Sequence, residues 1–390
     1  MKPFLTLIIT VFLITSCSCQ KNDPGSDSGL RTYYNTDQFV MGADLSYLNQ
    51  ILDFGGVFSD SAEVKNPYTI FSEYGTNVVR LRLWHNPQWT KEIYGAEGTQ
   101  LYNDFADVKR AIEESKSNGM KVLLDFHYSD NWADPAKQHL PEAWEGLTFE
   151  VLVDSIYNYT YVILSKLASE GLMPEFIQVG NEINPGILLP QGDRWNSNTA
   201  NFVTLMNSAI KAVRDAGNIT VGEPEIIIHV AQPENILNWF QGLSGLGLTD
   251  YDIVGLSYYY IWSDVELETL SDRITEIRTQ LNRDVMVMET CFPFTTKNAD
   301  TYGNIIDTRK LSVSDYPPTI DGQYNYLVKL TQEIIDGGGS GIFYWEPAWI
   351  TSEIKTQWGQ GSAWDCNTLF NFNGEVIRGM DYMTYKYDFD

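Results

Sequence analysis

Two glutamates stand where apolar runs of strand character end. Glu182 closes Phe176-Ile177-Gln178-Val179-Gly180-Asn181-Glu182, and Glu289 sits near the end of Val285-Met286-Val287-Met288-Glu289-Thr290. A carboxylate at the end of a buried strand is costly unless chemistry uses it. Two such groups from different strands can face each other across one cleft, the arrangement glycoside hydrolysis needs. One of the pair must keep its proton near neutral pH to protonate a leaving oxygen, and desolvation among aromatics pushes a Glu that way. Glu182 suits that acid/base role, and its neighbour Asn181 can hydrogen-bond a sugar 2-hydroxyl. Glu289 suits the nucleophile, which must stay ionised and therefore needs a cationic or hydrogen-bonding neighbour. Arg80 and Arg82 alternate onto one face of a single run, and an arginine inside a barrel demands a carboxylate partner. The expected pair is Arg80 with Glu289.

The elements that must position these groups are eight strand-like runs at 40–45, 77–84, 121–128, 176–182, 225–231, 252–259, 284–289 and 341–346. Helical patterns lie between them, at 104–118, 149–170, 198–216, 265–281 and 322–336, with Gly119 and Gly217 where C-terminal caps belong. Near-continuous apolar strands alternating with helices predict the α/β class, as a single-domain (β/α)8 TIM barrel. An open doubly wound sheet is the alternative. Polar residues gather at the carboxyl ends of the runs, the active face of a barrel. Asp44, Arg80, His127, Asn181, His229, Tyr258 and Tyr259 are the candidate substrate contacts there, and Trp345 is a candidate platform for a sugar ring. His127 is placed to orient either glutamate.

Composition narrows the partner. The chain of 390 residues carries a formal net charge of -25, which argues against nucleic acid and anionic membrane surfaces and is neutral toward uncharged polysaccharide. Its 11 Trp and 23 Tyr suit pyranose faces. With only 4 His and no close pair, a catalytic zinc or iron site is disfavoured. The N-terminal run from Phe4 to Ile14 is too short to span a bilayer and has the form of a secretory signal. Ile14-Thr15-Ser16-Cys17 is similar to a lipobox, so we expect a signal peptide over 1–16, a lipidated Cys17 and flexible tether over 17–38, and a hydrolase domain over 39–390. The expected location is the bacterial cell envelope, at the outer membrane or cell surface, with membrane contact only through the lipid and a monomeric chain. Cys291 and Cys366 are the cysteines of the folded body; a disulfide and two buried thiols both remain open.

The residues resemble a family at this point. Gly42-Ala43-Asp44-Leu45-Ser46, Val79-Arg80-Leu81-Arg82-Leu83-Trp84, the stretch from Asp125 to Pro135, Gly180-Asn181-Glu182, Ser257-Tyr258-Tyr259, Glu289-Thr290 and Trp345-Glu346-Pro347-Ala348-Trp349 are similar to runs of the family-53 glycoside hydrolases, the arabinogalactan endo-β-1,4-galactanases. The resemblance implies a (β/α)8 barrel, Glu182 as acid/base, Glu289 as nucleophile, retention of configuration, and β-1,4-galactan as substrate. It also implies a structural calcium tying the loops after strands seven and eight. The matching positions are Asp300, Asn304, Ser362 and Asp365, joined by Asn298 and Tyr302, the last two departing from the family's Asp and His. Other relatives tie these loops with a disulfide, a role open to Cys291 and Cys366. Two further functions compete: a non-catalytic surface glycan-binding lipoprotein, and a retaining β-1,4-glycanase acting on mannan or xylan.

Overall fold

The computed structural model describes residues 31–196, 198–218, 222–306 and 315–390. The expected signal peptide, the lipobox cysteine and most of the tether lie outside them. Eight parallel strands close into a barrel: β1 (Val40–Asp44), β2 (Val78–Leu83), β3 (Lys121–Phe126), β4 (Phe176–Val179), β5 (Glu225–Ala231), β6 (Ile253–Ser257), β7 (Asp284–Thr290) and β8 (Gly341–Tyr344). Each pairs with its sequence neighbours, and β1 closes the ring against β8, with Ala43 opposite Tyr344. All eight expected strands are present, and the open sheet is excluded by that closure.

Period-2 alternation explains what fills the centre. Val40, Val78, Leu123, Phe176, Ile227, Ile253, Met286, Met288 and Phe343 form an apolar layer inside the barrel to which every strand contributes. Gly42 leaves room for this layer, since a Cβ there would meet the Phe343 ring at 2.2 Å. The alternate residues, such as Val79, Leu81 and Leu83, face outward and pack in the larger core beneath the helices. Truncating one large member of the inner layer to alanine is expected to cost about 3–5 kcal/mol.

Helices Phe105–Ser117, Phe149–Ser169, Thr199–Gly217, Leu270–Leu281 and Ile320–Asp336 agree with the expected patterns within a few residues. Asp104, Thr148 and Thr319 cap three of them by accepting hydrogen bonds from backbone N–H groups of the first turn. Gly119 takes the left-handed conformation expected of a cap, at φ 78°. Gly217 does not: it is the last residue of its helix, which Asn218 follows.

Expected boundaries shift in two ways. Residues of the expected tether pack on the barrel: Tyr34 is buried, its carbonyl accepts from Asn77 and its hydroxyl accepts from the Tyr387 N–H. Four strands also end two or three residues earlier than their apolar runs. Tyr128, Gly180, Glu182 and Glu346, just past three of those ends, have φ of 48°, 82°, 45° and 47°. Left-handed backbone at non-glycine residues is costly and concentrates at functional sites. Here it turns the chain out of the strand at the barrel mouth, next to the cleft.

Candidate active site

Arg80 organises the mouth. It lies in the barrel interior one pleat above Val78, and each of its five N–H donors has a partner. Nη1 donates to Asp44 at 2.8 Å and Glu289 at 2.9 Å, Nη2 to Asp125 at 2.7 Å and Asn181 at 2.7 Å, and Nε to Gln178 at 3.1 Å. The expected Arg80–Glu289 pair is therefore made, within a larger network. The other oxygen of Glu289 accepts from the Tyr259 hydroxyl at 2.9 Å. Both Glu289 oxygens thus receive donors that favour the ionised form.

Glu182 has a different environment. Its carboxyl accepts from Ser257 Oγ at 2.5 Å and, among the described residues, forms no ion pair. Burial pushes it up to about 8, and the charge of Glu289 pushes the same way. Burial also raises Glu289, to about 7, while Arg80 and Tyr259 pull it back. Of the two, Glu289 is the carboxyl whose donors favour the ionised form, and Glu182 the one whose surroundings favour the proton. Such an arrangement can supply a proton from one carboxyl and a nucleophile from the other.

Both glutamates line one cavity of about 550 Å³ at the carboxyl ends of the strands. Six of the chain's 11 tryptophans share its wall: Trp132, Trp262, Trp345, Trp349, Trp358 and Trp364. Trp358 reaches toward the loops after β2 and β3, with Trp89 at 6.4 Å and the Lys137 ammonium at 5.4 Å from its ring. Trp262 stands 5.0 Å from Tyr259, on the side of β5 and β6. The cleft therefore crosses the mouth, with a half-exposed tryptophan toward each side. A second groove, of about 720 Å³, lies at the opposite end among Glu225, Asp250, Asp252, Arg278 and Arg283. It lacks the paired glutamates, and Arg214 neutralises two of its acids, Asp250 and Asp252.

Asn181, Tyr259 and Trp345 line the cleft as expected. Asp44, Arg80, His127, His229 and Tyr258 do not reach it: their exposures are 0, 1, 2, 0 and 0%. The correction has a physical cause. Arg80 and His229 sit before the last inward position of their strands, so the next layer covers them. Tyr258 turns the other way, giving its hydroxyl to the Val265 carbonyl at 3.0 Å. His127 orients neither glutamate directly. The Ala133 N–H donates to its Nδ1, which leaves Nε2–H for Asp125 at 3.1 Å, and burial keeps the ring neutral. Ser257 and Gln178 were missed, although a polar residue in an inward position of an apolar run was the available signal. Trp358 and Trp262 lie in loops where no periodicity marks them.

The expected calcium ligands come together only in part. Asp300 accepts from the N–H groups of Tyr302 and Ser362 and from the Thr351 hydroxyl. Asp365 accepts from Ala299 N–H and from Asn304, which also donates to Asn298. The Tyr302 hydroxyl meets Thr356 instead, and the Ser362 hydroxyl donates to the Trp349 carbonyl. Calcium takes 6–8 converging oxygens. In the structure these carboxylates accept from protein donors, and the hydrogen bonds join the two loops, while the Asn304 Oδ1 is buried without a hydrogen-bond partner beside them. Cys291 and Cys366 are thiols, not a disulfide, each in contact with the Asn367 side chain.

The family model described as glycosyl hydrolase family 53 matches residues 40–383. The chain belongs to that family. An arabinogalactan endo-beta-1,4-galactanase from Cellvibrio japonicus is 39% identical over 90% of this family-53 chain and 91% of its own length. An endo-beta-1,4-galactanase from Bacillus subtilis is 31% identical, covering 89% and 86%. Among solved structures, a family-53 catalytic domain from Ignisphaera aggregans superimposes with a TM-score of 0.82 at 30% identity, over 92% of this chain and 99% of that one. Xylanase B from Clostridium stercorarium, at 15% identity and a TM-score of 0.55, shares the barrel alone.

Proposed function

We propose that this family-53 hydrolase is a retaining endo-β-1,4-galactanase acting on pectic galactan and type I arabinogalactan. The observation that carries the reading is the unequal environment of two carboxyls facing one cleft, Glu182 without an ion pair among the described residues and Glu289 held by Arg80 and Tyr259. Glu289 attacks the anomeric carbon while Glu182 protonates the departing O4. Water, deprotonated by Glu182, then releases the sugar from Glu289, and two inversions give net retention. Asn181, fixed by Arg80 and by its own donation to the Ala133 carbonyl, borders the space where the sugar 2-hydroxyl sits. A cleft open across the mouth favours attack within a chain over removal of terminal units. The test is incubation with galactan, mannan, xylan and glucan side by side, following reducing ends and the product anomer by proton NMR. Early release of short β-configured oligosaccharides from galactan is expected; cleavage of another glycan alone, or α-products, refutes the reading.

The enzyme is read as exported and held at the envelope by acylated Cys17. Support comes from the short apolar run and the Ile14-Thr15-Ser16-Cys17 motif. Among the described residues no helix is long and apolar enough to cross a membrane. Release of activity from membranes by Cys17→Ser tests the anchor.

A further inference from the structure

Behind the acid/base lies a line of hydrogen bonds that the mechanism above does not use. Ser257, the last residue of β6, donates to Glu182 Oε1 at 2.5 Å, and its Oγ is 2.9 Å from His229 Nε2 on β5. Among the described residues Ser257 is the one hydrogen-bond donor to this carboxyl.

A serine hydroxyl has a single proton. With that proton given to Glu182, His229 must supply its Nε2–H to Ser257. His229 Nδ1 is then an acceptor, and Gln178 Nε2 lies 3.1 Å from it. The Gln178 amide cannot be turned round, because its Oε1 accepts from Arg80 Nε. The Asn181 amide is fixed likewise: Oδ1 accepts from Arg80 and Nδ2 donates to the Ala133 carbonyl. That Oδ1, 3.0 Å from Nδ1, serves the other neutral tautomer. Burial and the charge of Arg80 keep the ring uncharged.

We propose, on the reading of Glu182 as acid/base, that Ser257 with His229 behind it is the positioning element that holds Oε1 and leaves Oε2 to carry the transferred proton. Oε1 accepts from Ser257 in both protonation states, so the proton comes and goes at the oxygen turned to the sugar. The bond is worth more to the carboxylate than to the acid, because the charged acceptor is the stronger one. Ser257 therefore opposes the upward pull on Glu182. The charged groups acting on Glu182 from its surroundings are Glu289 on β7 and Asp134 after β3, which raise it, and Arg80 on β2, which lowers it.

The test uses the full chain and the pH dependence of kcat/KM on galactan, whose alkaline limb reports the free acid. Ser257→Ala removes one buried oxygen and leaves no bulk to accommodate. It is expected to lower kcat by about tenfold to hundredfold through misplacement of the carboxyl. It should also move the alkaline limb upward by about one pH unit. Ser257→Thr, which keeps the hydroxyl, should return the limb to its native place. Melting temperatures identify folded variants. A folded Ser257→Ala enzyme with an unmoved limb overturns the proposal, since a purely structural serine changes amplitude without changing titration. Absence of β-1,4-glycan cleavage by the native protein overturns the functional reading, and the proposal with it.

Discussion

Tyr259→Phe isolates one contact of the nucleophile. The hydroxyl donates to Glu289 Oε2 at 2.9 Å, while the ring is 5% exposed and packs against Trp262 and Trp364. Phenylalanine keeps the packing and deletes only the donor, leaving Arg80 as the remaining partner of that carboxylate. A hydrogen bond to a charged group contributes about 1.5–3 kcal/mol. At 1.36 kcal/mol per pH unit, its loss raises the Glu289 carboxyl by roughly 1–2 units. Since catalysis needs Glu289 ionised, the acid limb of kcat/KM moves up by that amount and the active range narrows from below. Below the limb, the rate on galactan falls about tenfold to hundredfold relative to the native enzyme. The assay is reducing-end release from galactan at closely spaced pH values, with melting temperature as the control. An acid limb that stays in place in a folded Tyr259→Phe enzyme refutes the assignment of Glu289 as the ionised partner.

Three further outcomes follow from the same geometry. Glu182→Gln should abolish hydrolysis of galactan yet raise the melting temperature, and by more at pH 8 than at pH 5. The folded pKa of Glu182 is raised, so the folded state holds a proton that the unfolded state loses above about 4.5, and native stability declines as pH rises toward about 8; equal melting shifts at both pH values contradict this. Glu289→Ala supplied with azide should form an α-galactosyl azide, read by proton NMR, and a β-azide would reverse the two roles. A calcium chelator should shift the melting temperature by less than about 2 °C, because Thr351, Ala299, Asn304 and backbone amides already occupy Asp300 and Asp365; a large drop restored by calcium would show that the loops reorganise around the ion.

The barrel was legible because strands buried on both faces carry apolar residues at nearly every position, and eight such runs separated by helices admit few topologies. Strand ends were not, since Tyr128 and Glu346 look no different in sequence whether extended or left-handed. The carboxyl pair and its arginine could be read from type and spacing. Depth within the barrel could not. His229 falls in the correct run but one pleat below the rim, so a residue expected to touch sugar instead backs Ser257. The loops after β7 and β8 illustrate a different gap: Asp300 and Asp365 occupy the expected positions, yet Thr351, which donates to Asp300 and lies beside Asp365, is outside any ligand pattern.

Arg80 binds side chains from β1, β3, β4 and β7 at once, together with Asn181 just past β4, so the geometry around Glu289 is locked beneath the rim. Bond breaking and choice of sugar therefore occupy separate storeys of the molecule. An engineer can exchange the tryptophan-bearing loops overhead to retarget the enzyme while the machinery below stays in register.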